Sequence, residues 1–261
     1  MIALIVQART TSSRFPGKVL EDIGGKTMLA HVLERCRQAR LQEEWVLAIP
    51  EDDPKISDLA RLAHENGFNV LYGSRDDVLS RYFNAACIYR ADLVVRITAD
   101  CPLIDPELID RVTAAAVHHR NAIHYATNTI MRVHPHGMDV EAISFKALEA
   151  AAEEAKDGYD REHVTTFIRR DPRRFPASDV GATSIQKEAF DPPWIAEHGP
   201  VRLTVDYLED LEVVRAVYDG CKDKPHTNAH LGYKVFGISE IVEFVRAHPE
   251  VVKANQHRVR R

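Results

Sequence analysis

Arg9, Arg14 and Lys18 stand within ten residues of one another, and four hydroxyl side chains, Thr10, Thr11, Ser12 and Ser13, fill the gap between the two arginines. This composition suits phosphate. A guanidinium offers a fork of donors matched to phosphate oxygens, a lysine adds a point charge, and backbone N–H groups of small residues can come close. Pro16-Gly17 sets a turn from which Lys18 projects, in a loop expected to be open. The plain alternative is a solvated loop whose basic side chains only aid solubility. Two carboxylates complement the loop: Asp100 in "TADCPLID" and Asp206 at the end of "VRLTVD". Each follows an apolar run. Mg²⁺ is typically held by one or two carboxylates together with substrate phosphates. Taken singly, Asp100 also reads as a turn residue before proline and Asp206 as a helix N-cap. Together with the cationic loop they point to a metal–phosphate site.

Other motifs fail their own tests. Gly25-Lys26-Thr27 has the ending of a P-loop, but the first glycine of that pattern would fall on Leu20. The histidine groups His118-His119, His134-x-His136 and His226-x3-His230 lack a second ligand pair at a zinc-binding interval. Trp45 and Trp194 read as core or interface residues.

Positioning the cations and carboxylates falls to an alternation of short apolar runs and helical patterns. Strands are expected at 2–6, 45–49, 68–72 and 93–97, and helices at 28–36, 54–66 and 77–89, the second ending at Asn66-Gly67. This spacing makes parallel βαβ units in an α/β fold, a mostly parallel sheet with helices on both faces. Ligands of such sheets sit beyond the carboxyl ends of the strands. That rule selects the loop after Val6, the Gly73-Ser74 turn and the segment after Ile97. Residues 121–200 are less regular; then "VRLTVD" reads as a strand ending at Asp206, and a helix follows.

The chain has 261 residues, reads as a single domain over 1–261 with a helical extension from about 222, and carries a formal charge of −5. That charge argues against a broad nucleic-acid surface, the only basic run being 257–261. No apolar stretch approaches the roughly 20 residues of a membrane span, and residues 1–8 lack the features of a signal peptide. The four cysteines form no Cys-x-x-Cys pair, which fits a reduced, cytoplasmic protein.

Read in order, "IVQARTTSSRFPGKVL", "RITADCPLID", "HGMDVE", "REHVT" and "RLTVDYLEDLE" resemble the SpsF-like spore coat polysaccharide biosynthesis branch of the sugar cytidylyltransferases. That branch is related to CMP-KDO and CMP-acylneuraminate synthetases, and the likeness runs from about residue 1 to 214. It implies a Rossmann-like, GT-A-type nucleotidyltransferase that uses CTP and Mg²⁺. By this resemblance Arg14 and Lys18 grip the triphosphate and are catalytic, and Asp100 and Asp206 hold Mg²⁺. Ala8, Arg9 and Ser74 lie near the cytidine. His136, Asp139, Glu141, Glu162 and His163 line the side of a small sugar-like or acidic acceptor, where Glu162 or His163 could take its proton or simply pack a helix. A homodimer is implied as well. The sequence departs from the family pattern at His136, often an acid, and Thr166, often proline, which bears on the acceptor. A nucleotide-sugar glycosyltransferase would carry Asp-x-Asp after the fourth strand, which "TADCP" lacks; a non-catalytic nucleotide-binding protein would have lost Lys18 or an acid, and neither is lost.

Overall fold

The computed structural model describes residues 1–181 and 192–258. Asp191 of the proline-rich stretch and the last three residues of the basic tail lie outside the described residues. The strands are β1 (Ile2–Gln7), β2 (Asp22–Ile23), β3 (Lys26–Thr27), β4 (Glu44–Pro50), β5 (Asn69–Gly73), β6 (Leu93–Thr98), β7 (Tyr125–Thr127), β8 (Glu141–Ser144) and β9 (Ala177–Asp179). The helices are α1 (Met28–Cys36), α2 (Ile56–Glu65), α3 (Val78–Ile88), α4 (Pro106–Val117), α5 (Phe145–Glu154), α6 (Gly158–His163), α7 (Thr166–Arg170), α8 (Pro192–His198), α9 (Leu208–Cys221), α10 (Ile238–Ala247) and α11 (Pro249–Lys253).

Seven strands form one sheet in the order β5-β4-β1-β6-β8-β7-β9. The four strands expected from the sequence are its parallel half, with β1 between β4 and β6. β8 runs antiparallel to both β6 and β7. Period-two side-chain alternation divides β1 between two cores. Ile2, Leu4 and Val6 face the one covered by α1, α2, α4, α9 and α10. Ala3 and Ile5 face the one covered by α3, α5 and α7. A sheet buried on both faces explains why these strands read as continuous apolar runs. Thr27, Asp77, Asp105 and Ser144 cap α1, α3, α4 and α5 with side-chain oxygens, so each helix starts at a fixed point beyond a strand end.

The structure agrees with setting aside the P-loop reading, and it corrects one expectation of the fold, the strand before Asp206. The glycine pair before Lys26 is the two-residue turn of the β2–β3 hairpin, with φ positive at Gly24 and Gly25. Lys26 pairs with Glu34 on the surface at 2.6 Å, which places it in an ion pair rather than a phosphate cradle. The segment before Asp206 is not a strand: apart from one isolated bridge between His136 and Arg202, it belongs to no sheet. Its backbone bonds go to loops instead. His136 N–H donates to the Val201 carbonyl at 3.0 Å, Leu203 N–H to the His136 carbonyl at 2.6 Å, and Val205 N–H to the Asp100 carbonyl at 2.9 Å. Gly137, at φ +102, is what lets the chains approach; a Cβ there would lie 2.6 Å from the backbone of Leu203 and Thr204.

Candidate active site

The loop after β1 is tied down before it presents its cations. Buried Asp53, in the loop after β4, accepts from the Thr10 backbone N–H at 2.8 Å and from its hydroxyl at 2.6 Å. Gly17 N–H closes the loop onto the Thr10 carbonyl at 2.8 Å. Gly17 takes the left-handed conformation, and one 3₁₀ turn, Lys18–Leu20, then carries Lys18 inward.

The Lys18 ammonium is saturated. It donates to Asp100 Oδ2 at 3.2 Å, to Asp206 Oδ1 at 3.0 Å and to the Val205 carbonyl at 2.6 Å, three acceptors for three N–H groups. Its side chain is only 9% exposed, so the expectation of an open lysine is corrected; Arg14, at 49%, is open as expected. Burial pushes the Lys18 pKa down, but Asp100 and Asp206 outweigh burial and hold it above its ordinary value. Burial likewise pushes Asp100 up, and Lys18 together with the Thr98 and Cys101 side chains more than offsets that, so its carboxyl lies below the usual range. Asp206 also receives Arg14 at 2.6 Å and Arg202 at 2.7 Å.

Two polar clefts share a wall at this cluster. The first, about 220 Å³, is lined by Ala8, Arg9, Ser12, Arg14, Lys18 and Asp206 among others. The second, about 320 Å³, is lined by Thr129, His136, Asp139, Glu141, Tyr159 and Arg169 among others. Arg96, Thr98, Asp100 and His163 line both. Glu162 lines the first, where it pairs with Arg9 at 3.2 Å. Residue 164, directly after His163, is a valine at φ +63, a conformation β-branched residues rarely adopt. Strain of this kind gathers where a segment is held for function.

Residues 3–223 match the cytidylyltransferase family. The chain belongs to that family. It is 29% identical to the spore coat polysaccharide biosynthesis protein SpsF of Bacillus subtilis over 95% of each chain. It is 40% identical to a 3-deoxy-manno-octulosonate cytidylyltransferase of Anaeromyxobacter dehalogenans over 44% of this chain and 46% of that protein. A solved cytidylyltransferase from Leptospira borgpetersenii superposes over 100% of this chain and 98% of its own, with a TM-score of 0.80 at 27% identity.

In this cytidylyltransferase the acids of the second cleft are engaged rather than free. Buried Glu141 takes the Arg96 guanidinium, the Tyr125 hydroxyl and, at 2.8 Å, the Thr165 hydroxyl. Asp139 receives a bidentate Arg132 at 2.6 and 2.9 Å. Burial, with Arg132 nearby, holds the His136 pKa below its ordinary value, which favours a neutral imidazole. Ser74 lines neither cleft; its hydroxyl accepts from Asp77 N–H at the β5–α3 turn. Sequence reading missed Asp53, Arg202 and Asp210. Asp210 is fully buried, accepts from Asp206 N–H at 2.8 Å and from Arg202 at 3.0 Å, and so fixes the backbone that aims Asp206. The one available signal was its place at the third position of α9, where an acid can reach back to the helix start. Trp45 is half-buried against the core with Arg37 over its ring, and Trp194 stacks on His198.

Proposed function

We propose that the protein is an Mg²⁺-dependent cytidylyltransferase that moves CMP from CTP to a sugar acid or related sugar-like acceptor, releasing pyrophosphate, in surface polysaccharide biosynthesis. The supporting observation is the Lys18 ammonium touching both Asp100 and Asp206 on the wall between two polar clefts. In this reading CTP occupies the cleft of Ala8, Arg9, Arg14 and Lys18, and the acceptor occupies the cleft of His136, Asp139 and Glu141. The kinship with SpsF and with 3-deoxy-manno-octulosonate cytidylyltransferases supports the acceptor class.

The donor set fits a hard divalent cation. Asp100 and Asp206 offer carboxylate oxygens within the span of two contacts to one nitrogen, and Mg²⁺ needs few protein ligands when phosphates supply the rest. Bound there, the ion would supply Lewis-acid polarisation of phosphoryl oxygens. The chain's own residues do the remaining work. Arg14 holds phosphate oxygens, and Lys18, whose three N–H groups are taken by Asp100, Asp206 and the Val205 carbonyl, adds its charge beside them; together they stabilise the charge that gathers on the departing pyrophosphate. His163, which lines both clefts, would accept the proton of the acceptor oxygen as that oxygen attacks the α-phosphate. Asp53 and Asp210 keep the loop and Asp206 in register for an in-line approach.

We also propose a homodimer, and four unpaired cysteines with no helix long and apolar enough to cross a membrane, among the described residues, are compatible with a cytoplasmic site of action. Calorimetry with Mg²⁺ and CTP, ATP or GTP tests the reading: CTP should bind best, and equal or tighter ATP binding would overturn the cytidine assignment.

A further inference from the structure

Arg81 is the fourth residue of α3 and has no exposed surface, yet none of its three guanidinium nitrogens has a hydrogen-bond partner among the described residues. Buried charged groups are almost always paired, and an orphan of this kind calls for an acceptor from elsewhere. The acid near it is occupied. Asp77 accepts from Arg161 at 2.8 Å and from Ser80 N–H at 2.9 Å. The other charged neighbour is Arg9, of like sign.

Position says which acceptor. Helical side chains lean toward the helix N-terminus, here the sheet's carboxyl edge. Arg81 accordingly passes beneath the end of β5, where a Cβ on Gly73 would lie 2.9 Å from its Cγ. β5 lies three strands from β6 in the order β5-β4-β1-β6, which at ~4.8 Å per interval is roughly 14 Å. Phosphates held at Lys18 beside Asp100, beyond the end of β6, do not reach that far. A nucleotide running across the strand ends from β6 past β1 therefore points its base toward Arg9 and Arg81.

We propose that Arg81 reads the base: its guanidinium fork donates to the adjacent acceptors O2 and N3 of cytosine and so separates CTP from UTP. Uracil presents an N–H at N3, which faces the same donor with a donor. The fork is covered, so the base reaches it by displacing a neighbour, and the turn after Gly73, where Ser74 and Asp76 are exposed, is the adjoining surface. The inference rests on the proposed use of CTP.

The test is calorimetric, with Mg²⁺ and CTP, UTP or 3-deaza-CTP, which lacks the N3 acceptor. Wild-type protein should bind CTP about tenfold or more tightly than either analogue, because a site built to hydrogen-bond a group rejects the molecule lacking it. In Arg81→Lys, which keeps the charge and loses the fork, and in Arg81→Gln, CTP should fall to the level of the analogues. Equal binding of CTP and 3-deaza-CTP by wild-type protein, or a preference that survives in either folded variant, would make Arg81 a structural residue and overturn the inference. Wild-type protein that binds none of the three would instead overturn the proposed use of CTP.

Discussion

Asp100 and Asp206, more than a hundred positions apart, contact the same nitrogen of Lys18, at 3.2 and 3.0 Å. The two acids are therefore far closer than the about 10 Å beyond which carboxylates cannot serve one ion or a bridged pair. Asn at either position keeps the shape and removes a charge. Each substitution is expected to abolish or severely reduce metal-dependent turnover, and the double variant to be little worse than the singles, as for parts of one unit. Additive losses in a double-mutant cycle would separate the two acids functionally.

Lys18 and Arg14 should part company when replaced by Ala. Both variants are expected to lose about 10²-fold or more in turnover, the scale of a lost charge-stabilising donor. Only Lys18→Ala should also unfold early. It leaves two acids and a carbonyl without their buried cation, a loss of about 3 kcal/mol and roughly 5–10 °C in Tm. Calorimetric melting beside saturating-CTP kinetics checks both; an unshifted Tm for Lys18→Ala would mean the cluster contributes nothing to the fold.

Asp53→Asn should raise KM for CTP more than it lowers kcat, because Asp53 acts through Thr10 on the loop that carries the cations. Steady-state kinetics decides this, and an unchanged KM would leave Asp53 as a cap for the segment before α2.

His134 is buried, its Nε2 has no partner among the described residues, and burial lowers its pKa to about 4. The folded state therefore binds fewer protons than the unfolded state between that value and the ordinary 6.5. Stability is fully present above pH 6.5 and falls as the pH drops through the window toward 4, by roughly 3 kcal/mol at full effect. His134→Phe should flatten the pH dependence of denaturant midpoints over that window; an unchanged slope would place the acid sensitivity elsewhere.

The parallel half of the sheet was legible because β1, β4 and β6 are largely buried on both faces and their sequences show it; β5, at the sheet edge with Tyr72 exposed, was legible from its apolar run after the Asn66-Gly67 helix end. The segment before Asp206 was misread for a related reason. Val201, Leu203 and Val205 alternate as in a strand and are buried as in a strand, but their backbone partners are the His136–Gly137 loop and Asp100 rather than a sheet neighbour. Apolar period reports burial and not the identity of the bonding partner. Arg14, Lys18 and Asp100 drew notice because loops at strand ends carry them, whereas Asp206 was singled out at the end of an expected strand that the structure lacks. Arg202 and Asp210, only four to eight residues from the partners they hold, were passed over because their segment was read as a strand followed by a helix, and Asp53 because it acts on Thr10 across 43 residues, which no local pattern records. The same limit applies to Lys18, whose burial depends on acids that arrive from residues 100 and 206.

The most direct measurement follows the α-phosphate. With α-labelled CTP, Mg²⁺ and a panel of 3-deoxy sugar acids, nonulosonates and phosphorylated small acids, label should move into one acceptor conjugate with one pyrophosphate released per conjugate, and labelled ATP or GTP should transfer little. Label that remains with CTP across acceptors of every class, or that moves as readily from ATP, would contradict the assignment of this site to cytidylyl transfer.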